Sequence, residues 1–156
     1  MAKKILYAAY GSNMNLEQMS RRCPAAKVFA KGTVEGYELE FRGSSSWGGG
    51  VATIAKNPET NVPVLIWELT EACEKSLDIY EGFPAFYCKK NILVTLENGR
   101  RRRCMAYIMT DGHTVAPPSK AYLIGIAEGY KSARIPLKPL YDALDKIFEK
   151  SCKGGA

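Results

Sequence analysis

The sequence predicts an α+β fold in which helices flank a mixed, strongly curved, barrel-like β-sheet. Segments rich in β-branched and aromatic residues fill the first two thirds of the chain, and helical patterns dominate the last third. The chain has 156 residues, which fits one domain, since two domains would each be small and weakly buried. We therefore expect a single domain over 1–150, followed by a disordered tail over 151–156.

Six segments have the composition of β-strands. The second is expected to break near Gly32 or Gly36, and the glycine- and serine-rich cluster 43–50 is expected to form a loop. Asn98-Gly99, between the last two strands, is the best short hairpin signal. The predicted strands are Lys4–Ala9, Lys27–Phe41, Val51–Ala55, Val62–Leu69, Tyr87–Leu96 and Arg102–Met109.

The helix with the clearest signals covers 70–81. Thr70 is a favourable N-cap, Cys73 and Leu77 share one face, and Gly82 follows as a natural stop. The other predicted helices are a short one near Leu16–Arg22, one near Lys120–Tyr130 and one that begins at Pro139.

Composition excludes several classes of protein. No apolar run approaches the ~20 residues that span a bilayer, and the N-terminus resembles a first strand more than a signal peptide. Five widely spaced cysteines argue against a disulfide framework or a zinc site and favour a reducing, cytoplasmic setting. Cys23, beside Pro24, is expected to be the most exposed thiol. A single histidine excludes a multi-histidine metal centre.

The net charge of +6 comes partly from one run, Arg100–Arg103. On a strand, alternate arginines face opposite sides, and no aromatic residues interleave with them as stacking platforms. We therefore expect solvated hairpin charge, and binding of a nucleic acid is the least favoured of the functions considered.

The end of the first strand, Tyr10-Gly11-Ser12-Asn13, is a candidate site. Gly11 permits a tight turn, and Ser12 or Asn13 can cap the following helix. Main-chain N–H groups at such a turn can bind a carboxylate or a polarised carbonyl oxygen. A plain strand-to-helix turn explains the same four residues, so both interpretations stay open.

Glu81 is a candidate general base. It precedes Gly82 at the expected helix C-terminus, where the dipole disfavours a carboxylate, and Phe83, Phe86 and Tyr87 follow. An apolar pocket at this end of the helix would raise the carboxyl pKa, as a base for an amine requires. The alternative is an exposed, solvated Glu in a loop.

These two sites, in this order, resemble the γ-glutamylcyclotransferase-like family, which includes the plant AIG2-like proteins. The matching features span most of the chain. They are Tyr7-Ala8-Ala9-Tyr10-Gly11-Ser12-Asn13-Met14, Gly49-Gly50-Val51-Ala52-Thr53-Ile54, Leu77-Asp78-Ile79-Tyr80-Glu81-Gly82, and Ala116-Pro117-Pro118-Ser119 with Tyr122.

The resemblance implies a mixed β-barrel with flanking helices and an intramolecular reaction without a cofactor. The α-amine of a γ-glutamyl compound attacks its own γ-carbonyl, which gives 5-oxoproline and a free amino acid or amine. The family's general acid/base falls on Glu81. Its substrate-binding positions fall on Tyr7, Tyr10, Gly11, Ser12 and Asn13, with Tyr87 and Tyr122.

Two questions stay open in the sequence. The same fold can serve as a non-catalytic module that binds a small carboxylate, and the Gly11–Asn13 amides can receive either an oxyanion or the substrate's α-carboxylate. We expect a small-molecule γ-glutamyl substrate, no nucleic-acid or membrane partner, and a monomer or homodimer. The leaving amine is not specified.

Overall fold

The strands of this protein close into a barrel in the order β1-β3-β2-β4-β5, which confirms the predicted class. The computed structural model describes residues 4–43 and 48–154; the predicted loop is therefore outside the described residues over 44–47. The strands are β1 (Ile5–Ala9), β2 (Lys27–Arg42), β3 (Val51–Leu69), β4 (Tyr87–Leu96) and β5 (Arg101–Met109). The helices are α1 (Leu16–Arg22), α2 (Glu71–Glu81), α3 (Lys120–Ser132) and α4 (Lys138–Gly154).

β2 and β3 form one long antiparallel hairpin, and here the predicted strand ends are wrong. The two strands predicted at 51–55 and 62–69 are the two paired halves of β3. Residues 57–60 bulge out where the register shifts between Glu35–Asn61 and Tyr37–Lys56. The break that the sequence predicts in β2 corresponds to this register shift, and β2 does not end there. Gly36, at the shift, has φ +80°. Pairing resumes beyond the bulge, so the turn signals do not end the strand.

Non-local pairing closes the barrel. β1 pairs with β3 antiparallel, from Ile5–Leu69 to Ala9–Leu65, and with β5 in parallel at Tyr7–Met105. The hairpin predicted at Asn98-Gly99 joins β4 and β5, and Gly99 has φ +85°. Arg100–Arg103 is exposed on this hairpin. The closure carries the end of β1 to the place where α2 ends and β4 begins.

Local hydrogen bonds define the helix ends. Thr70 Oγ1 accepts from Cys73 N at 3.2 Å, and Gly82 ends α2 with φ +66°, as predicted. The cap of α1 is Asn15, whose Oδ1 accepts from Gln18 N at 3.1 Å. Ser12 and Asn13 therefore do not cap α1. They belong to a 3₁₀ turn, Ser12–Met14, which leaves the Asn13 side chain for other contacts.

The core lies inside the barrel and beneath α3 and α4, where Tyr130, Ile126 and Leu140 are buried. Cys23 is also buried, and its Sγ donates to Cys73 O at 3.4 Å, so the expectation of an exposed thiol is wrong. α4 extends to Gly154 and thus into the segment predicted as a tail, and residues 155–156 lie outside the described residues. None of the described helices has the length and apolar character needed to cross a membrane.

Candidate active site

A cavity opens where β1 ends, and every residue proposed from the sequence as part of the site lines it. β1 and the turn after it supply the first group, the C-terminus of α2 supplies the acidic residue, and β4 and α3 supply two tyrosines. The predicted residues that line the cavity are Tyr7, Tyr10, Gly11, Ser12, Asn13, Glu81, Tyr87 and Tyr122.

Glu81 is the acidic residue of the cavity. Its Oε1 accepts a hydrogen bond from Asn13 Nδ2 at 3.3 Å, which joins α2 to the turn after β1. Burial raises the pKa of Glu81 to about 7, and the positive charge of Arg22 opposes part of that effect. The carboxyl group is therefore close to half ionised at neutral pH. Such a group can both accept and donate a proton.

Asn13 is a polar residue of the turn after β1, and it is only 2% exposed. Its Nδ2 also donates to Tyr7 OH at 3.0 Å, and its main-chain oxygen accepts from Trp67 Nε1 at 2.9 Å. These bonds tie the turn to β1 and β3. Hydrogen bonds within the chain therefore hold the wall beside Glu81 in place.

The tyrosines of the cavity are tied to the backbone of β3 and β5. Tyr87 OH donates to Ala52 O at 2.5 Å, and Ala52 N donates to Tyr122 OH at 2.9 Å. Tyr10 OH donates to the main-chain oxygen of Tyr107. Burial raises the pKa of the phenols of Tyr10, Tyr87 and Tyr122, so these side chains stay protonated at neutral pH.

Three glycines let backbones approach closely around the cavity. A Cβ on Gly11 would lie 3.1 Å from Ala52 Cβ. A Cβ on Gly50 would lie 2.1 Å from the main-chain oxygen of Ala116, and one on Gly49 would lie 2.7 Å from that of Pro117. The start of β3 therefore packs directly on the segment that leads into α3. A side chain at position 49 or 50 would therefore collide with the main chain at 116–119.

Sequence reasoning missed several residues at the site. Ala52, Tyr80, Phe86 and Tyr107 also line the cavity. Arg22 is behind its wall, and nothing in the sequence distinguishes it from any basic residue in the last turn of a helix. Tyr107 was one of nine tyrosines, and only the folded chain brings its hydroxyl to Asp78 Oδ1, at 2.6 Å.

The mixed barrel thus holds one partly buried carboxyl and several tyrosine hydroxyls in the same cavity. The family model described as "Gamma-glutamyl cyclotransferase, AIG2-like" matches residues 7–129. The chain belongs to this family, as the sequence motifs predicted.

Individual relatives agree with the family match. The chain is 32% identical to human γ-glutamylcyclotransferase over 142 residues, which cover 87% of this chain and 75% of the relative. The bovine protein of the same name gives the same identity and coverage. A solved structure described as "Gamma-glutamyl cyclotransferase" superposes with a TM-score of 0.82 at 31% identity, covering 93% of this chain and 86% of that one.

Proposed function

We propose that this chain is a γ-glutamyl cyclotransferase in which Glu81 is the general acid and base. It converts a small γ-glutamyl compound into 5-oxoproline and a free amino acid or amine. The observation that carries the proposal is a partly buried carboxyl, with a pKa raised to about 7, that shares one cavity with the turn at Gly11–Asn13. The names of the relatives support the same activity.

The reaction is balanced within one substrate molecule. Glu81 takes a proton from the α-ammonium, and the freed nitrogen lone pair attacks the γ-carbonyl carbon. Glu81 gives this proton to the leaving nitrogen and takes a second proton from the ring nitrogen of the tetrahedral intermediate, so the bond between the carbonyl carbon and the leaving nitrogen breaks. Glu81 then gives the second proton to the released amine. Overall, two protons pass from the α-nitrogen to the leaving nitrogen. The products are a lactam and a free ammonium, and no water is consumed.

The raised pKa of Glu81 suits this proton transfer. An ordinary Glu at about 4.3 would face an α-amino group at about 8, a mismatch that costs roughly 5 kcal/mol. With Glu81 at about 7, the mismatch falls to about one pH unit, or ~1.4 kcal/mol. The same carboxyl, once protonated, is a sufficiently strong acid to protonate the leaving nitrogen.

The other cavity residues bind and orient the glutamyl group. The hydroxyls of Tyr7 and Tyr122, which accept within the chain, and the amides of Gly11, Ser12 and Asn13 supply hydrogen-bond donors. The hydroxyls of Tyr10 and Tyr87 already donate to main-chain oxygens and can accept from the substrate's ammonium. The amides receive either the developing oxyanion or the α-carboxylate. Donors aimed at an oxyanion contribute roughly 3 kcal/mol each in other acyl-transfer enzymes. An intramolecular attack also gains from orientation, since effective molarities reach about 10⁵–10⁸ M.

We also propose the working state of the chain. It acts as a monomer or homodimer on a small molecule, without a nucleic-acid partner. The compartment is reducing, and the cytoplasm fits, because the cysteines at positions 23, 73, 88 and 104 are free thiols in the folded chain.

The direct test is a substrate panel. Purified protein is incubated with γ-glutamyl dipeptides and γ-glutamyl amines, and 5-oxoproline is quantified by mass spectrometry. We expect turnover by the parent and a loss of roughly 10²–10⁴-fold in Glu81→Gln. Glu71→Gln removes an exposed carboxylate from the same helix and should keep the parent's activity.

Two outcomes would contradict the proposal. Full turnover by the Glu81 variant would remove Glu81 from the mechanism. Thermal stabilisation of the parent by glutamate-like ligands, with no product from any substrate, would instead identify a binding module for small carboxylates.

A further inference from the structure

Arg22 is the last residue of α1, and it contacts the wall of the cavity from behind. Its Nη1 donates to Asn13 Oδ1 and, at 3.2 Å, to Ser12 Oγ. Its Nη2 donates to Gln18 Oε1 at 2.8 Å. The guanidinium also lies 3.8 Å above the centre of the Tyr80 ring. Groups from α1, α2 and the 3₁₀ turn therefore hold Arg22 in one position.

The contact with Arg22 determines how the Asn13 amide is oriented. A side-chain amide has an oxygen and a nitrogen of similar size, and its hydrogen-bond partners decide which faces which way. A guanidinium has donors only, so Asn13 must turn its oxygen towards Arg22. Its Nδ2 then faces the opposite way, towards Tyr7 OH at 3.0 Å and Glu81 Oε1 at 3.3 Å.

We propose that Arg22 is a positioning residue for Glu81, an inference that rests on the function proposed above. By engaging Asn13 Oδ1, Arg22 keeps Asn13 Nδ2 as the donor to Glu81 Oε1. Oε2 is then the oxygen that takes the substrate's proton. Arg22 does not line the cavity and acts on the reaction through Asn13.

Loss of Arg22 would change both the geometry and the charge at Glu81. Without the guanidinium, the Asn13 amide is free to rotate and place its oxygen against the carboxylate, which would favour the protonated acid. The positive charge of Arg22 also favours the ionised form of Glu81. Within 4–43 and 48–154, the other titratable groups that interact electrostatically with Glu81 are phenols, and burial raises the pKa of each: Tyr7, Tyr10, Tyr80, Tyr87, Tyr107 and Tyr122.

Three variants separate positioning from general stability. Arg22→Gln removes the positive charge and the planar guanidinium with its several N–H donors. Arg22→Lys keeps the positive charge but has no planar guanidinium. Arg21→Gln is the matched control, because Arg21 is exposed on the same helix and pairs with Glu17 at 2.5 Å. For each, kcat and KM for a γ-glutamyl dipeptide are measured against pH. Infrared difference spectra of the substrate-free protein follow the Glu81 carboxyl, with Glu81→Gln as the blank.

The expected effects differ between the variants. Arg22→Gln should lower kcat near pH 7 by roughly ten- to a hundredfold, part of what a general base contributes, with KM changed much less. Two midpoints should move upward by roughly one pH unit: the pH at which kcat is half its plateau value on the acid side, and the pH at which the infrared signal shows Glu81 half ionised. Arg22→Lys should keep both midpoints near the parent's but lose several-fold in kcat. Arg21→Gln should match the parent.

Unmoved midpoints in folded Arg22→Gln would overturn the inference. If that variant does not fold, a parent-like kcat in Arg22→Lys would also overturn it. Failure of the proposed function is recognised separately, because the parent itself would then release no 5-oxoproline. The infrared midpoints remain informative in that case, since they need no turnover.

Discussion

Replacing Glu81 by Gln should remove activity and, at the same time, stabilise the folded chain at neutral and alkaline pH. The reason is linkage between protonation and folding. The Glu81 carboxyl titrates near 4.5 in an unfolded chain and at about 7 in the folded protein. Between these values the folded state binds more protons than the unfolded state, so the parent loses stability as pH rises.

The magnitude follows from the two pKa values. At about 1.4 kcal/mol per pH unit, the full difference is worth about 3 kcal/mol. The stability contribution of protonated Glu81 is complete below pH 4.5 and is lost as pH rises through about 7. Gln mimics the protonated acid at every pH, and its oxygen can still accept from Asn13 Nδ2. The variant should therefore exceed the parent by less than ~1 kcal/mol near pH 5 and by ~3 kcal/mol near pH 8.

The assay is urea unfolding of parent and variant at several pH values, with the free energy of unfolding from linear extrapolation. Glu71→Gln is again the control. Glu71 lies exposed in the first turn of α2, where a carboxylate is favourable, so its removal should cost a few tenths of a kcal/mol. A stability difference for the Glu81 variant that is the same near pH 5 and pH 8 would refute the reasoning, because it would mean that Glu81 titrates alike in both states.

Three further substitutions test the cavity wall and the packing next to it. Tyr122→Phe removes the acceptor of Ala52 N, so it should cost about 1 kcal/mol of stability and lower kcat/KM. Tyr130→Phe, on the same helix, removes a buried hydroxyl without a partner in the described part of the chain, so its stability should be unchanged or slightly raised and its activity should equal the parent's. If urea unfolding showed Tyr130→Phe to be the more destabilising of the two, the hydrogen-bond assignment would be contradicted. Gly50→Ala should destabilise the fold by at least ~2 kcal/mol, because its Cβ would lie 2.1 Å from the main-chain oxygen of Ala116. An unchanged unfolding midpoint for Gly50→Ala would show that the two segments do not pack so closely.

The sequence predicted best those features that depend on neighbouring residues. α2 begins after Thr70 and ends at Gly82 because a side-chain cap and a left-handed glycine act within one turn. The β4–β5 hairpin follows from Asn98-Gly99 for the same reason. The prediction of two strands in place of β3 was wrong, because the chain is irregular over 57–60 but pairing with β2 resumes beyond it. Local signals therefore locate an irregularity without telling whether the strand ends there.

In the candidate site, too, local signals were predictable from the sequence and long-range contacts were not. Glu81 was identifiable because a carboxylate beside a helix-ending glycine and several aromatic residues conflicts with the helix dipole. The contact between Glu81 and Asn13 joins residues 68 positions apart and depends on barrel closure, which no local pattern specifies. Arg22 was not identifiable for a different reason, since a basic residue in the last turn of α1 is already favourable there.

The pH dependence of kcat/KM for a γ-glutamyl dipeptide tests most directly whether Glu81 is the base. The proposed mechanism predicts a rate that rises with pH through a single acid limb with its midpoint at about 7, since the reaction starts from the ionised carboxylate. A limb near 4.5, the ordinary value for a Glu, or a flat profile through neutral pH would contradict it.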